Sequence, residues 1–292
     1  MRRVRLGPRH FWLLKWGEMV MRLTSVLSAA LLGAMVSGAA MAAELPADIK
    51  QNGLRIAVVP NYPPMEFKDP ATATLTGFDV ELGEALARKL GVKPVWQETS
   101  FDQLMPGLAT QRFDIILTGM TDYKSRQDSA TFIDYLRSGP RFFVQAARSA
   151  EFKDALALCG KKVGASRRTM FPKDIAAWSE KNCGTSPIQF VGTEGSADAR
   201  TQLKQGRIDA AVQGNETLPY IMDQEPNAYV PIGEPIALQY TGLATPVKAD
   251  ELREALRGAL EALIADGSYK ALLAKWKLGD NGIEKVEINA GQ

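Results

Sequence analysis

The chain has 292 residues, 46% hydrophobic and 23% charged, with 35 lysines and arginines, 33 aspartates and glutamates, and one histidine. Six of the cations (Arg2, Arg3, Arg5, Arg9, Lys15 and Arg22) and one anion, Glu18, lie in residues 1–43, so losing that stretch turns the net charge from +2 to −3. A weakly acidic mature chain offers no electrostatic footprint for nucleic acid, and because the one histidine, His10, lies in residues 1–43 it can hold no Ser-His-Asp triad, Cys-His pair or histidine metal ligand.

Residues 1–43 read as an export leader. An apolar run rich in small residues, Leu23 to Ala40, follows Arg22, and Ala40-Met41-Ala42 has the small-x-small form of a signal peptidase site, with cleavage after Ala42 or Ala43. Met19 and Met21 each open a better proportioned signal peptide than Met1, so three translation starts are open. A signal anchor is the competing reading, but a run of Ala, Gly and Ser is a poor membrane span, and no later stretch is long and apolar enough to cross a bilayer. No cysteine follows the run, which argues against a lipid anchor and for a soluble protein in the periplasm. In that oxidising space Cys159 and Cys183 are expected to form a disulfide. Closing a loop of about 25 residues contributes roughly 3–4 kcal/mol in the chain-entropy model.

Beyond the leader, strand and helix signals alternate. GLRIAVVP (53–60) reads as a strand, and NYPPMEF as the loop after it. A turn at Thr76 runs into a helix with Phe78, Leu82, Leu86 and Leu90 at helical spacing. Val92–Thr99 is the next strand, Phe101–Gln111 the next helix, and Asp114–Leu117 a short apolar strand. The alternation predicts a parallel sheet covered on both faces. RFFVQA and KKVGA are further strands, followed by a helix over Phe171–Lys181, the strand PIQFVG, a helix over Ala197–Gln205 and the strand RIDAAVQG. The chain returns near Ile236–Thr241 and ends with an amphipathic helix, Lys248–Ala265, whose Leu252, Leu256, Leu260 and Leu263 face inward.

Polar chemistry begins where the third strand stops. Thr118 to Thr121 read as a loop at its carboxyl end, where open α/β sheets bind small ligands, and Asp122 to Arg126 as one helical turn. The Thr121 hydroxyl, amides near Gly119 and the fork of Arg126 would suit a carboxylate. The alternative is a solvated Arg126 with Thr121 as an N-cap.

The stretches TGFDVELGEALARKL, WQETSFDQLMPGLATQRFDIILTGMTDYKSR and IADGSYKALLAKWKL resemble, in order and over nearly everything after residue 48, the periplasmic solute-binding proteins of family 3, the polar amino acid receptors of ABC importers. The resemblance implies an α/β fold of the two-lobed, type II periplasmic binding protein kind. Each lobe would be a mostly parallel sheet flanked by helices, with a two-strand hinge between them. Residues 44–144 would start lobe 1, 145–237 form lobe 2, and 238–292 complete lobe 1. It further implies capture of a small carboxylate such as an amino acid by hinge closure, a membrane permease as partner, a monomer, and neither cofactor nor metal.

The resemblance also assigns residues. Tyr62 stands where the family places an aromatic over the ligand. Phe101 and Asp102 would line the same cleft, their alternatives being a core residue and an N-cap. Thr118, Gly119, Thr121 and Arg126 match the family's α-carboxylate site. Thr169 matches a threonine of the second lobe, while Arg168 stands where the family has glycine. Many relatives have an aspartate where Gly214 stands, and it pairs with the ligand's α-ammonium. Burying an ammonium without a carboxylate is costly, which leaves three possibilities. Glu216 or another acid takes over, Gln213 and Asn215 accept from a differently placed amine, or the ligand has no α-amine. Two other functions fit the same resemblance. One is a dehydratase acting on cyclic carboxylates such as prephenate or arogenate, with Asp102 or Glu216 as general acid. The other is a ligand receptor for a membrane sensor.

Overall fold

A computed structural model of the protein describes residues 45–292; the leader, its alternative starts and the cleavage site at Ala42 or Ala43 lie outside them. The described chain opens with α1 (Ala47–Asn52) and β1 (Leu54–Val58). A small antiparallel sheet of β2 (Asn61–Tyr62), β3 (Glu66–Lys68) and β4 (Leu75–Thr76) leads into α2 (Phe78–Leu90). Phe78, Leu82 and Leu86 of α2 are buried on one face, as their spacing requires, and Gly91 ends the helix in the left-handed region. β5 (Pro94–Glu98), α3 (Leu104–Ala109) and β6 (Ile115–Ile116) complete the first alternating series. β1 pairs in parallel with both β5 and β6, and this central position between two neighbours explains its near-continuous apolar sequence.

β7 (Thr131–Ser138) belongs to the same sheet, and β8 (Pro140–Gln145) to a second one. The chain therefore changes sheets at Gly139, ahead of the boundary expected at 144. A Cβ on Gly139 would lie 1.8 Å from the carbonyl oxygen of Ala237 on the returning segment, so only glycine lets the two crossing segments approach this closely. The second sheet adds β9 (Lys162–Ser166), β10 (Gln189–Thr193), β11 (Ala210–Gly214) and β12 (Tyr229–Ile232), with α4 (Phe171–Asn182), α5 (Ser196–Lys204) and α6 (Leu218–Gln224) between them. The chain returns through β13 (Gln239–Thr245), α7 (Asp250–Ala265), α8 (Ser268–Lys275) and β14 (Glu287–Ile288).

The strand orders are β14-β7-β13-β6-β1-β5 and β10-β9-β11-β8-β12. Both sheets are mixed. The half of each wound by strand-helix alternation is parallel, whereas the strands next to the two crossings pair antiparallel. Leu252, Leu256, Leu260 and Leu263 of α7 share one core with Leu82 and Leu86 of α2 and Tyr135 of β7. The second sheet has its own core around Phe142, Val163, Ile175 and Val212. Truncating one of these buried leucines to alanine costs about 2–5 kcal/mol. Cys159 and Cys183 are bridged, Cα atoms 5.2 Å apart, tying the start of β9 to the end of α4.

Candidate functional site

Between the two sheets lies a cleft of about 470 Å³ lined from both sides. The first wall is made by the loops after β1 and β6 and by the one-turn helix Phe101–Gln103. The second is made by the loops after β9, β10 and β11. Tyr62, Phe101, Thr118, Gly119, Thr121, Arg126 and Thr169 all line it, so residues more than 100 positions apart come to one cavity. Gln213 and Asn215 do not. Side chains alternate along an extended strand, and Gly214 faces the cleft. Gln213 therefore turns inward, accepting from Arg200 Nη1 (3.0 Å) and donating to Thr217 Oγ1 (2.7 Å). Asn215 accepts from Arg141 Nη1 (3.1 Å) outside the cleft.

Arg126 stands in a single 3₁₀ turn, Lys124–Arg126. Its Nη1 donates to the Thr121 carbonyl at 2.7 Å, and its guanidinium stacks near the rings of Phe101 (5.7 Å) and Tyr123 (5.3 Å). Among the described residues no carboxylate forms an ion pair with it, and burial pulls its pKa below the usual arginine value. The Thr121 hydroxyl likewise has no partner among the described residues. The cleft thus holds a planar cation, already oriented by two aromatic faces, with donor capacity left for a carboxylate.

The rest of the loop after β6 works differently from expectation. The Gly119 amide does not face the cavity but donates to Asp79 Oδ2 at 2.6 Å, and the Thr118 hydroxyl accepts from the Val59 amide and donates to Glu66 Oε1, each at 2.9 Å. Both groups are consumed by buried acids of the first lobe. Gly119 has φ +56°, and a Cβ there would lie 3.1 Å from the Tyr62 ring. Its glycine is needed for the turn and to admit the tyrosine, not to offer an amide. Thr169 is also spent locally: its hydroxyl donates to the Ser166 carbonyl (2.9 Å) and accepts from the Phe171 amide (3.2 Å), fixing the start of α4.

Opposite stand acids. Glu216, 5% exposed, accepts from the Tyr62 hydroxyl (Oε1, 2.9 Å) and from the Ser138 hydroxyl. The Gly214 amide in turn donates to the Tyr62 hydroxyl at 3.2 Å. A Cβ on Gly214 would sit 2.1 and 2.5 Å from the two oxygens of Glu216. The Glu216 carboxylate therefore occupies the place into which an acidic side chain at 214 would project. Glu66, 1% exposed, also lines the cleft, and its Oε2 is buried without a hydrogen-bond partner. Burial raises the pKa of both, that of Glu66 further because Asp79 lies beside it. Burial also pushes Asp79 up to about 7, against hydrogen bonds from Tyr135 and Gly119 that favour its charged form.

At the second wall Arg168 donates to Glu194 (3.0 Å), lies 3.8 Å from Asp102 across the cleft, and shares Glu194 with Arg167. The two sides also meet where Asp174 of α4 accepts from the Tyr123 hydroxyl (2.8 Å) and from Gln239 (3.0 Å). Glu66, Ser138 and Glu194 were not anticipated from sequence. The first had a signal, an acid beside Tyr62 in an otherwise apolar PPMEF; the other two had none.

The model of the bacterial extracellular solute-binding proteins, family 3, matches residues 54–279. The L-arginine-binding protein of Pseudomonas aeruginosa is 30% identical over 255 residues, covering 85% of this chain and 95% of the relative. An ancestral arginine-binding protein bound to arginine superposes with a TM-score of 0.68 at 30% identity, over 76% of this chain and 97% of that one. An ancestral amino acid-binding protein described as a precursor of cyclohexadienyl dehydratase gives 0.65 at 27%, over 76% and 94%. With the family model spanning both sheets and the cleft between them, the chain belongs to the bacterial extracellular solute-binding proteins of family 3.

Proposed function

We propose that this protein captures an amino acid in the periplasm and presents it, in the closed two-lobed form, to the permease of an ABC importer. The observation that carries the reading is the charge arrangement of the cleft: Arg126 without a carboxylate partner, together with the Glu216 carboxylate filling the space in front of Gly214. Arg126 and Thr121 would take the α-carboxylate, Glu216 the α-ammonium, and Tyr62 the ligand's aliphatic part. Among the alternatives at 213–216, the position of the Glu216 carboxylate in front of Gly214 supports Glu216. Glu66, buried with one oxygen unpaired, leaves room for a second cationic or hydrogen-bond-donating group on the ligand. L-arginine, which the Pseudomonas relative is named for, is accordingly the first candidate.

The same geometry favours binding over catalysis. A general acid must carry a proton it can deliver, whereas both Glu216 oxygens accept from hydroxyls and Asp102 is exposed and faces Arg168. The monomeric state and the lobe limits belong to the same proposal, as does the hinge at the two crossings near Gly139 and Ala237. Thermal shift and calorimetry of the mature chain test it, using L-arginine, L-histidine and L-glutamine beside their deaminated acids and decarboxylated amines. A ligand at 100 times its dissociation constant adds about 2.7 kcal/mol. Stabilisation by amino acids but by neither truncated series is expected; a response to the deaminated acids alone would remove Glu216 from its role. Turnover of prephenate or arogenate would replace the binding reading with the dehydratase one.

A further inference from the structure

The turn that carries Arg126 is held from behind by the end of the chain. After β14 the backbone kinks at Asn289, in the left-handed region at φ +53°, a conformation asparagine tolerates better than most residues. The kink is pinned to the sheet on both sides. The Asn289 amide donates to the Phe132 carbonyl (3.1 Å), its side chain accepts from the Phe132 amide (2.8 Å), and the Ala290 amide donates to Asp134 Oδ2 (3.0 Å). The last residues then pass under the loop 121–127. There the Gly291 amide donates to Asp122 Oδ2 at 2.7 Å, and the Lys124 amide to the Gln292 carbonyl at 3.3 Å. Gln127 Nε2 bridges three oxygens, those of Asp122 Oδ1 (2.9 Å), Gly291 (3.1 Å) and Asn289 (3.2 Å).

Asp122 is 1% exposed and does not line the cleft. It sits between Thr121, whose carbonyl receives the Arg126 guanidinium, and the turn that ends in Arg126. In front, the turn is held by the Asp122 amide on the Tyr240 carbonyl (2.9 Å) and by the Tyr123 hydroxyl on Asp174 (2.8 Å); its middle, Lys124 and Ser125, is exposed, has no helical continuation and meets the tail through the Lys124 amide. Residues 289–292 are thus tied down at the back of the binding loop. We infer that the C-terminal tail, Asn289–Gln292, sets the position of Arg126, with Asp122 as the positioning residue through which it acts. The inference rests on the reading of Arg126 as the carboxylate site.

Gly291 allows a test in the full chain. A Cβ there would lie 1.8 Å from the Asp122 carbonyl oxygen, so Gly291→Ala expels the tail while leaving the side chains of Asp122 and Arg126 unsubstituted. Hydrogen exchange of the amides Asp122–Gln127 should rise at least tenfold in this variant, without change in α4 or α5, and the melting temperature should stay within a few degrees of the native value. Affinity for L-arginine should fall about tenfold. Asp122→Asn, which keeps an acceptor for the Gly291 amide, should fall less than Asp122→Ala. In an Arg126→Ala background Gly291→Ala should change nothing further. Unchanged exchange at 122–127, or native L-arginine affinity in Gly291→Ala, would overturn the inference. If the native chain binds no amino acid, the functional reading fails instead, and the exchange measurement alone decides whether the tail holds the turn.

Discussion

On the first wall of the cleft the acids are buried: Glu66 and Asp79 take up the Thr118 hydroxyl and the Gly119 amide, which leaves Arg126 without a carboxylate and Glu66 Oε2 without a hydrogen-bond partner. On the second wall the charges are mostly in solvent: Arg167, Arg168 and Glu194 are each about half exposed and pair with one another, and only Glu216 is buried. A buried charge in front of a vacant partner contributes far more to binding than an exposed one already paired. The proposed function therefore concentrates affinity for the ligand's two charged ends in Arg126 and Glu216, one from each wall, and leaves the remaining polar groups to shape the cleft.

The largest effect should follow from removing the first-wall cation. Arg126→Ala should lower amino acid affinity by more than a hundredfold, about 3 kcal/mol or more, with the fold intact by circular dichroism and melting temperature. Near-native affinity in calorimetry would mean that the carboxylate is read elsewhere. Next is the second-wall acid. Glu216→Gln should cost roughly tenfold to a hundredfold, because the ammonium then meets a neutral amide. Gly214→Asp should be as damaging for the opposite reason, since its side chain would enter the space of the Glu216 carboxylate. Combining Gly214→Asp with Glu216→Ala should recover binding in part. No recovery would show that position 216 does not stand in for position 214.

What could be read in advance follows the same division. α2 and α7 were legible because Phe78, Leu82, Leu86 and Leu252, Leu256, Leu260, Leu263 carry the helical period by themselves, and β1 because a strand between parallel neighbours is apolar but for Arg55. That Tyr62 and Arg126 line one cleft was expected from the motifs around them. The roles of Thr118 and Gly119 were not, because their partners Glu66 and Asp79 lie 52 and 40 residues away and only the packed sheet brings them together. Gln213 and Asn215 fell on the wrong side of an alternation whose phase the strand sequence does not mark. The bracing of Asp122 by Gly291, 169 residues apart, leaves no local signal at either end.

Buried acids make the unliganded protein sensitive to pH, and here the first wall and strand β7 should respond together. Burial pushes Asp134 up to about 7, with Asp122 and Glu287 adding to the rise and the Ala290 amide opposing it. Asp79 also reaches about 7 and Glu66 is raised. An acid whose pKa is raised in the folded chain holds its proton between about pH 4 and 7, where the unfolded chain has lost it, so stability falls as pH rises through this window. Lowering the pH from about 8 to 5.5 should therefore stabilise the unliganded chain, read as an upward shift in melting temperature. Asp134→Asn should flatten the profile. A native profile that is level, or that falls on acidification, would show that these carboxylates stay ionised in the fold.

The smallest effect should come from the exposed cluster. Arg168 is half exposed and shared between Glu194 and Asp102, a geometry worth about 0–1 kcal/mol at a protein surface. Arg168→Gly should therefore change equilibrium affinity by less than about fivefold. Its charge stands at the cleft, so its effect should lie in the association rate, which depends on long-range fields and is screened by salt. Stopped-flow binding of L-arginine at about 20 mM and 500 mM salt separates the two roles. With a cationic ligand the variant should associate faster than the native chain at low salt and equally fast at high salt. A large loss of affinity at both salt concentrations would place Arg168 in direct contact with the ligand, and the second wall would then hold two charges that matter for binding rather than one.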